Sequence, residues 1–294
     1  MENPFNNLEF QRFTTENWGV ERRLEFIEFR LFWEERINRG DLTAFFGIST
    51  PQASKDLAKY QELAPGNIEY DKRGKFYFAT KEFRPAINPP NSERYLAYLR
   101  FVSYGINRPE ETFIGSFPDY DMVPVVERPV EPNMLRRILA AIRNNSDLDI
   151  YYQSMSRPEP IWRLVCPHAL GFDGFRWNIR GYCHTRKNFI DFSIGRIIEI
   201  GEERPSDVDA KSDTLWHSIK ELKIGPHPEL SEGQKKIIEH EYGMKNGCKE
   251  IKVREAFLFY FLKRYGLSKK VGNKEPKGQH IVLLNPEEAG LSNQ

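Results

Sequence analysis

The apolar positions of this chain change period several times, and each change marks an element. From Val20 they recur at helical spacing: Val20, Leu24, Ile27 and Leu31 form one stripe, widened by Phe26, Phe29, Phe32 and Trp33 into a helix buried on more than one side. Asn38-Arg39-Gly40 reads as its end, with Gly40 as the residue after the cap. Asp41 is then expected to cap a short helix over 42–46, followed by the turn Gly47-Ile48-Ser49. Thr50 is expected to cap the next helix, 51–63, because Pro51 is tolerated at a first helical position and disfavours helical geometry before itself. On that helix Ala53, Leu57 and Tyr60 face inward, while Gln52, Lys55 and Lys59, with Ser54 beside them, form a polar front. Strands at 68–71 and 75–80 follow, joined by Asp71-Lys72-Arg73-Gly74, a tight hairpin with Lys72, Arg73 and Lys75 at or beside its tip. Helix, short helix, helix and hairpin is the order of a winged helix-turn-helix.

Past a Pro-broken connector, Ser92 is placed to cap a helix over 93–104 with Tyr95, Leu96, Leu99 and Val102 as its stripe. Prolines 109, 118, 124, 129 and 132 exclude a long helix after it and predict an extended linker or a strap crossing to a partner subunit. A helix with Leu135, Ile138, Leu139 and Ile142 on one face opens the next block. Four strands, 148–154, 161–166, 175–182 and 189–200, are separated by Gly, Pro and Asp in the manner of a small barrel. Alternation puts Arg176, Asn178, Arg180 and Tyr182 on one face and Trp177 and Ile179 on the other. Trp177, Ile179, Ile190, Phe192 and Ile194 then read as core, and Ile150, Tyr152 and Ser154 share a face of the first strand.

The remainder reads as a polar hinge (202–213), a strand (214–224), a helix opened by Ser231, a strand (249–254), an apolar helix (255–265) and a strand (280–284). Phe257, Leu258, Phe261 and Leu262 are its last helix's inward face. This alternation makes a small α/β domain. The expected organisation is α+β: 1–85 winged helix-turn-helix, 86–133 linker with one helix, 134–204 barrel, 205–294 closing domain. Residues 1–19 have no clear period and are expected to cap the first domain or contact a second subunit.

Composition narrows the function. The 294 residues carry a net charge of +1 and 39% hydrophobic content, so the chain reads as globular, and any nucleic-acid binding must come from local patches. Residues 1–80 hold eleven Lys/Arg against thirteen Asp/Glu, with five of the acids on the long first helix. The basic residues that remain sit on the front of one helix and at the hairpin tip. Cys166, Cys183 and Cys248 lack metal-ligand spacing and read as core thiols or isolated residues. No signal peptide or membrane-length apolar run is present, so a cytoplasmic protein is expected. Nucleophile elbow, zinc-protease, Walker and dinucleotide motifs are absent, and no catalytic residues, metal or cofactor are expected.

Residues 134–200 contain ten Lys/Arg, nine of them Arg, against six Asp/Glu. Arginine forks match phosphate and carboxylate oxygens in pairs, although exposed arginines on a strand also serve as a solvated sheet face. Four motifs carry a resemblance here: Ile150-Tyr151-Tyr152-Gln153-Ser154, Arg163-Leu164-Val165-Cys166-Pro167-His168-Ala169-Leu170, Arg176-Trp177-Asn178-Ile179-Arg180-Gly181-Tyr182 and Phe192-Ser193-Ile194-Gly195-Arg196-Ile197. In this order, behind a helix, they resemble a WYL domain. That family has an Sm-like (SH3-like) β-barrel that binds regulatory nucleotide or nucleic-acid ligands through a basic groove. The naming triplet departs, with Asn178 and Ile179 standing where the family has Tyr and Leu, and Asn removes a ring able to stack on a ligand.

The resemblance implies a ligand site at Tyr152, Ser154, Arg157, His168, Arg176, Trp177, Arg180 and Arg196, filled by a nucleotide or oligonucleotide. Winged helix, barrel and closing domain in this order also resemble WYL transcriptional regulators of the BrxR and CapW type, associated with BREX and CBASS anti-phage loci. Ile48-Ser49-Thr50-Pro51-Gln52-Ala53-Ser54-Lys55-Asp56-Leu57 supports that subgroup. The implied protein is a homodimeric repressor of its own phage-defence operon, whose closing domain is a WCX-like dimerisation domain. Ser49, Thr50, Gln52, Ser54, Lys55, Lys59, Lys72, Arg73 and Lys75 would contact a double-stranded operator with an inverted repeat. A second reading is an accessory sensor that docks on a nucleic-acid-processing enzyme without binding DNA.

Overall fold

Helix α1 (Trp18–Glu34) stops where Glu35 turns left-handed at φ 59°, several residues before the expected end at Gly40. The chain then makes a two-residue strand, β1 (Arg36–Ile37), and enters α2 (Arg39–Phe46). Asn38 caps α2 in a reciprocal box with Asp41, so Gly40 lies inside the helix and Asp41 is its third residue, not its cap. Gly47 closes α2 in the left-handed conformation (φ 65°). The next helix, α3 (Thr50–Leu63), is capped by Ser49 instead of Thr50, with Pro51 in its first turn. A one-residue shift of the cap is enough, since either hydroxyl can accept from the first-turn amides. The computed structural model describes residues 18–126, 128–267 and 278–291. The role expected for the N-terminal segment lies outside them for residues 1–17.

The chain divides at Val125/Val126 into two units. In the first, α1 and α3 pack with α2, and β2 (Ile68–Asp71) and β3 (Phe76–Ala79) form the hairpin. β1 adds to β3, giving a three-stranded antiparallel sheet of order β1-β3-β2. Leu24, Ile27, Leu57 and Tyr60 are fully buried in one core, the three aliphatic side chains each contributing roughly 1.5–3 kcal/mol of burial.

The segment expected as a linker is part of this unit. Ile87 and Phe113 lie in the same core as Leu24 and Leu57, and Phe113 meets the rings of Phe26, Phe29 and Phe45 at 5.2, 5.7 and 5.4 Å. The buried Glu28 carboxylate accepts the backbone N–H groups of Ala86, Ile87 and Asn88 at 2.6–2.9 Å and the Tyr60 hydroxyl at 3.2 Å. Helix α4 (Ser92–Ser103), capped by Asn91 and not Ser92, continues this wrapping. Prolines forbid a long helix over 105–125, where only the 3-10 turn Pro109–Glu111 forms, but they leave an extended strap free to pack its apolar side chains.

In the second unit, α5 (Pro132–Asn144) buries Ile138 and Ala141 and leaves Leu139 partly exposed. It packs on a five-stranded antiparallel sheet of β4 (Ser146–Tyr152), β5 (Ile161–Phe172), β6 (Trp177–Cys183), β7 (Asn188–Ser193) and β8 (Ile197–Pro205). Strand order is β7-β6-β5-β4-β8, with β8 returning to the first strand as in a small Sm-like barrel. The single strand expected over 189–200 is two strands, broken by the turn Ile194–Arg196, which lets the chain cross from one edge to the other.

Beyond it, 214–224 is not one strand. Asp213 caps a short helix, α6 (Thr214–His217), before β9 (Ile219–Pro226). α7 (Glu232–Tyr242, capped by Ser231), β10 (Lys249–Arg254), α8 (Leu258–Arg264) and β11 (Ile281–Leu283) complete a sheet of order β10-β9-β11 with its own core around Leu222, Ile224 and Leu262.

Candidate nucleic-acid interface and ligand site

The apolar back of α3 fixes which side chains its front can present. Ala53, Leu57 and Tyr60 are fully buried, so Ser49, Thr50 and Lys55 are exposed and Gln52, Ser54 and Lys59 half-exposed. Three of these groups are already engaged, Ser49 Oγ as the cap that accepts the Gln52 N–H at 3.4 Å. Ser54 Oγ donates to the Thr50 carbonyl at 3.0 Å, and Gln52 Nε2 donates to Asp56 at 3.0 Å. At the hairpin tip Asp71 organises the turn, accepting the Arg73 N–H on its side chain and the Lys75 N–H on its carbonyl, both at 2.8 Å. Lys75 is left-handed at φ 58°, and Lys72, Arg73 and Lys75 all project into solvent. An α-helix with a short polar front and a basic hairpin tip is the chemistry that reads base edges and holds phosphates. Asp56, which sequence reasoning passed over, is buried and ion-paired to Arg23.

The barrel residues do not form one open groove. Tyr152 belongs to the hydrophobic core, edge-on to Phe192 at 5.1 Å, and its ring is not presented for stacking on a ligand. Trp177, placed in the core by alternation and at the ligand site by the resemblance, is 52% exposed and lies 5.1 Å from the Phe172 ring at the β5–β6 hairpin. The reversal has a local cause: the strand begins only at Trp177, where the hairpin projects beyond the barrel. Arg176 donates to Asp173 at 2.9 Å, and Asp173 also accepts the Phe175 and Arg176 amides. Burial works against the Asp173 carboxylate, but these donors hold it below the usual range.

Ser154, Arg157 and Arg196 come together at one end of β4. Gln153 joins them, its N–H donating to the Arg196 carbonyl at 3.1 Å and its side-chain amide to the carbonyls of Ser154 and Arg157 at 2.8 Å. Arg157 is exposed there.

His168 and Arg180 meet elsewhere, on a carboxylate that sequence reasoning did not connect with them. Register between β5 and β6 slips between Pro167 and Ala169, leaving His168 without a ladder partner. Such a bulge re-aims the side chain, and His168 Nε2 donates to Asp213 Oδ2 at 2.9 Å. Gly181 makes the bulge possible, since a Cβ there would lie 2.7 Å from the Cys166 carbonyl oxygen. Arg180 grips the same carboxylate through Nε (2.7 Å) and Nη2 (2.9 Å) and reaches Asp191 through Nη1 (3.2 Å). The strand face expected to be open is therefore covered, with Arg180 and Asp213 both buried.

Electrostatics follow the geometry. Burial alone would raise the Asp213 carboxyl, but donors from Arg180 and His168 and the Arg180 charge keep it below its ordinary value. Burial lowers His168, favouring the neutral ring that donates from Nε2. Asp191 is raised by burial despite Arg180, and Tyr260 on α8, whose hydroxyl bonds Asp191, is pushed up to about 12 by burial and that neighbouring charge. The available signal in the sequence was Asp213-Thr214-Leu215-Trp216, an Asp cap before a short helical turn. Among the described residues, no group of three or more His, Cys, Asp or Glu could hold a metal ion, and no helix is long and apolar enough to cross a membrane.

Comparison with known proteins agrees with the three-part layout. The BrxR transcriptional regulator winged helix-turn-helix domain matches residues 19–101, the WYL domain residues 133–201, and the BrxR transcriptional regulator C-terminal dimerization domain residues 219–289. Among curated proteins, the DNA-binding transcriptional repressor CapW of Stenotrophomonas maltophilia is 42% identical over 92% of this chain and 91% of its own length. CapW of Pseudomonas aeruginosa is 39% identical, and CapW of Escherichia coli (strain KTE188) 38% identical, with the same coverage.

Proposed function

The chain belongs to the CapW family of DNA-binding transcriptional repressors, and on that premise we propose that it is a cytoplasmic repressor of its own phage-defence operon. It binds an inverted-repeat operator as a homodimer and leaves it when a nucleotide or oligonucleotide binds the WYL domain. The observation that carries DNA binding is the presentation of α3: its apolar side is wholly buried, and Ser49, Thr50 and Lys55 stand exposed beside a hairpin tip bearing Lys72, Arg73 and Lys75.

In this reading Gln52, Ser54 and Lys55 reach base edges, while Lys59 and the hairpin cations hold phosphates. One such unit offers few base contacts, so two half-sites about one or two helical turns apart supply affinity and specificity. The match of residues 219–289 to a dimerization domain supports a homodimer. Ser154, Arg157 and Arg196, gathered around Gln153, and the Arg180–His168 cluster are the proposed effector contacts, with Arg176 and Trp177 at the hairpin beside them in sequence.

A gel shift with the DNA upstream of the gene tests the first part. A defined complex that survives competitor DNA is expected, and binding no tighter than to random sequence rejects it. Light scattering tests the second: full-length protein runs as a dimer, and a chain ended after residue 218 as a monomer.

A further inference from the structure

We propose that Asp213 is a built-in occupant of an anion site formed by Arg180 and His168, and that a phosphate-bearing ligand acts by displacing it. The proposal rests on the ligand-responsive reading above and names the event that reading requires. Three donors converge on this carboxylate: Nε and Nη2 of Arg180 at 2.7 and 2.9 Å, and Nε2 of His168 at 2.9 Å. A guanidinium offers the same two-pronged grip to a pair of phosphate oxygens. Both Arg180 and His168 belong to the barrel, whereas Asp213 comes from the crossover between β8 and β9.

Charge makes the process an exchange. Arg180 already faces two carboxylates, Asp213 and Asp191. A phosphate added beside both would gather three anionic groups around one guanidinium in a buried site, which is strongly unfavourable. Asp191 is fixed by the ladder, directly opposite Arg180 in β6–β7 pairing, so Asp213 is the group able to leave.

Its departure has a structural consequence. Asp213 also accepts the Trp216 N–H at 3.3 Å as the cap of α6. The Trp216 ring packs edge-on against His168 (5.6 Å) and Phe257 (5.7 Å), and Arg254 lies over it at 4.7 Å while donating to its carbonyl. Arg254 ends β10 and Phe257 leads into α8, both in the segment that matches the dimerization domain. Filling the anion site therefore uncaps α6 and loosens the barrel's attachment to that domain. Such a ligand binds the uncapped state better, which is the differential affinity that a switch needs.

The test uses the full-length chain, wild type and D213S, the serine retaining a capping oxygen while removing the carboxylate; D213N replaces it should D213S lose its melting transition. Probes are 5′-AMP, carrying a terminal phosphate; the thymidine tetranucleotide d(TTTT), carrying phosphodiesters only; and adenosine as the phosphate-free control. Calorimetry gives affinities and hydrogen–deuterium exchange follows 206–218. At least one phosphate probe is expected to bind the variant tenfold or more tighter than wild type. The same probe at saturation should raise wild-type exchange across 206–218 while β6 stays protected, and adenosine should do neither. Equal affinities for the two proteins, no binding of either phosphate probe, adenosine behaving like them, or unchanged exchange at 206–218 overturns the proposal. A gel shift on the same samples separates the two ideas: exchange at 206–218 with the operator still bound keeps Asp213 as the displaced group and removes operator release.

Discussion

Arg23 on α1 and Asp56 on α3 form a two-pronged ion pair, Nε to Oδ2 at 2.6 Å and Nη2 to Oδ1 at 3.2 Å, with the carboxylate side chain only 3% exposed. Asp56 also receives the Gln52 side-chain amide. One buried carboxylate thus locks α3 to the long first helix and orients the residue proposed to read bases. Asp56→Ala leaves Arg23 without its partner, and removal of one member of a buried pair costs about 3–5 kcal/mol. Urea unfolding should show that loss, and operator affinity should fall in conditions where the variant remains folded. Unchanged stability would mean that the pair contributes little to holding α3.

The hairpin tip is expected to act through charge alone. Lys72 and Arg73 are exposed, and Asp71 shapes the turn through the backbone N–H groups of Arg73 and Lys75, so K72A/R73A should fold normally. Binding should weaken by a similar factor on every DNA sequence, and the slope of log affinity against log salt should flatten by roughly two phosphate contacts. A variant with wild-type affinity and slope across a salt series would remove the tip from the interface.

Phe113 tests whether the proline-rich strap is structural. It is fully buried among Phe26, Phe29 and Phe45, with the Arg22 guanidinium 4.3 Å over its ring. Phe113→Ala is expected to cost about 3–5 kcal/mol, readable as a lower urea midpoint in a chain spanning residues 18–125. A cost within 0.5 kcal/mol, the range of ordinary surface changes, would return the strap to the status of a linker.

The His168–Asp213–Arg180 cluster predicts acid sensitivity. His168 is held below its ordinary 6.5, so the unfolded chain binds the extra proton first and stability falls as pH drops below about 6.5. Asp213 is held below 3.8, so its contribution is present above that value and is lost as pH falls through its lowered folded pKa. Melting temperature between pH 7 and 5 should therefore decline partly through His168, and H168Q should reduce that decline. Parallel curves for the two proteins would show that His168 does not set it.

Much of this chain is written locally. The stripe of α1, the buried triplet Ala53, Leu57 and Tyr60, the hairpin with Lys72 and Arg73 at its tip, β10 at 249–254 and the Ser231 cap were all legible, because period and capping depend on residues a few positions apart. The motifs that resemble a WYL domain were legible for the same reason. Three matters were decided only by tertiary structure. Residues 86–125 looked like a linker because prolines deny them a helix, yet Ile87 and Phe113 are core, as an extended strap buries side chains without any period. Tyr152, expected at the ligand, is core, and Trp177, which alternation placed in the core, is exposed, because alternation assigns faces but not which face or strand end lies inside the barrel. The arginine face looked open because Asp213 lies 33 residues from Arg180 in sequence. Charge pairing over that distance leaves no pattern in the chain; it exists only once the crossover after β8 folds back over the barrel.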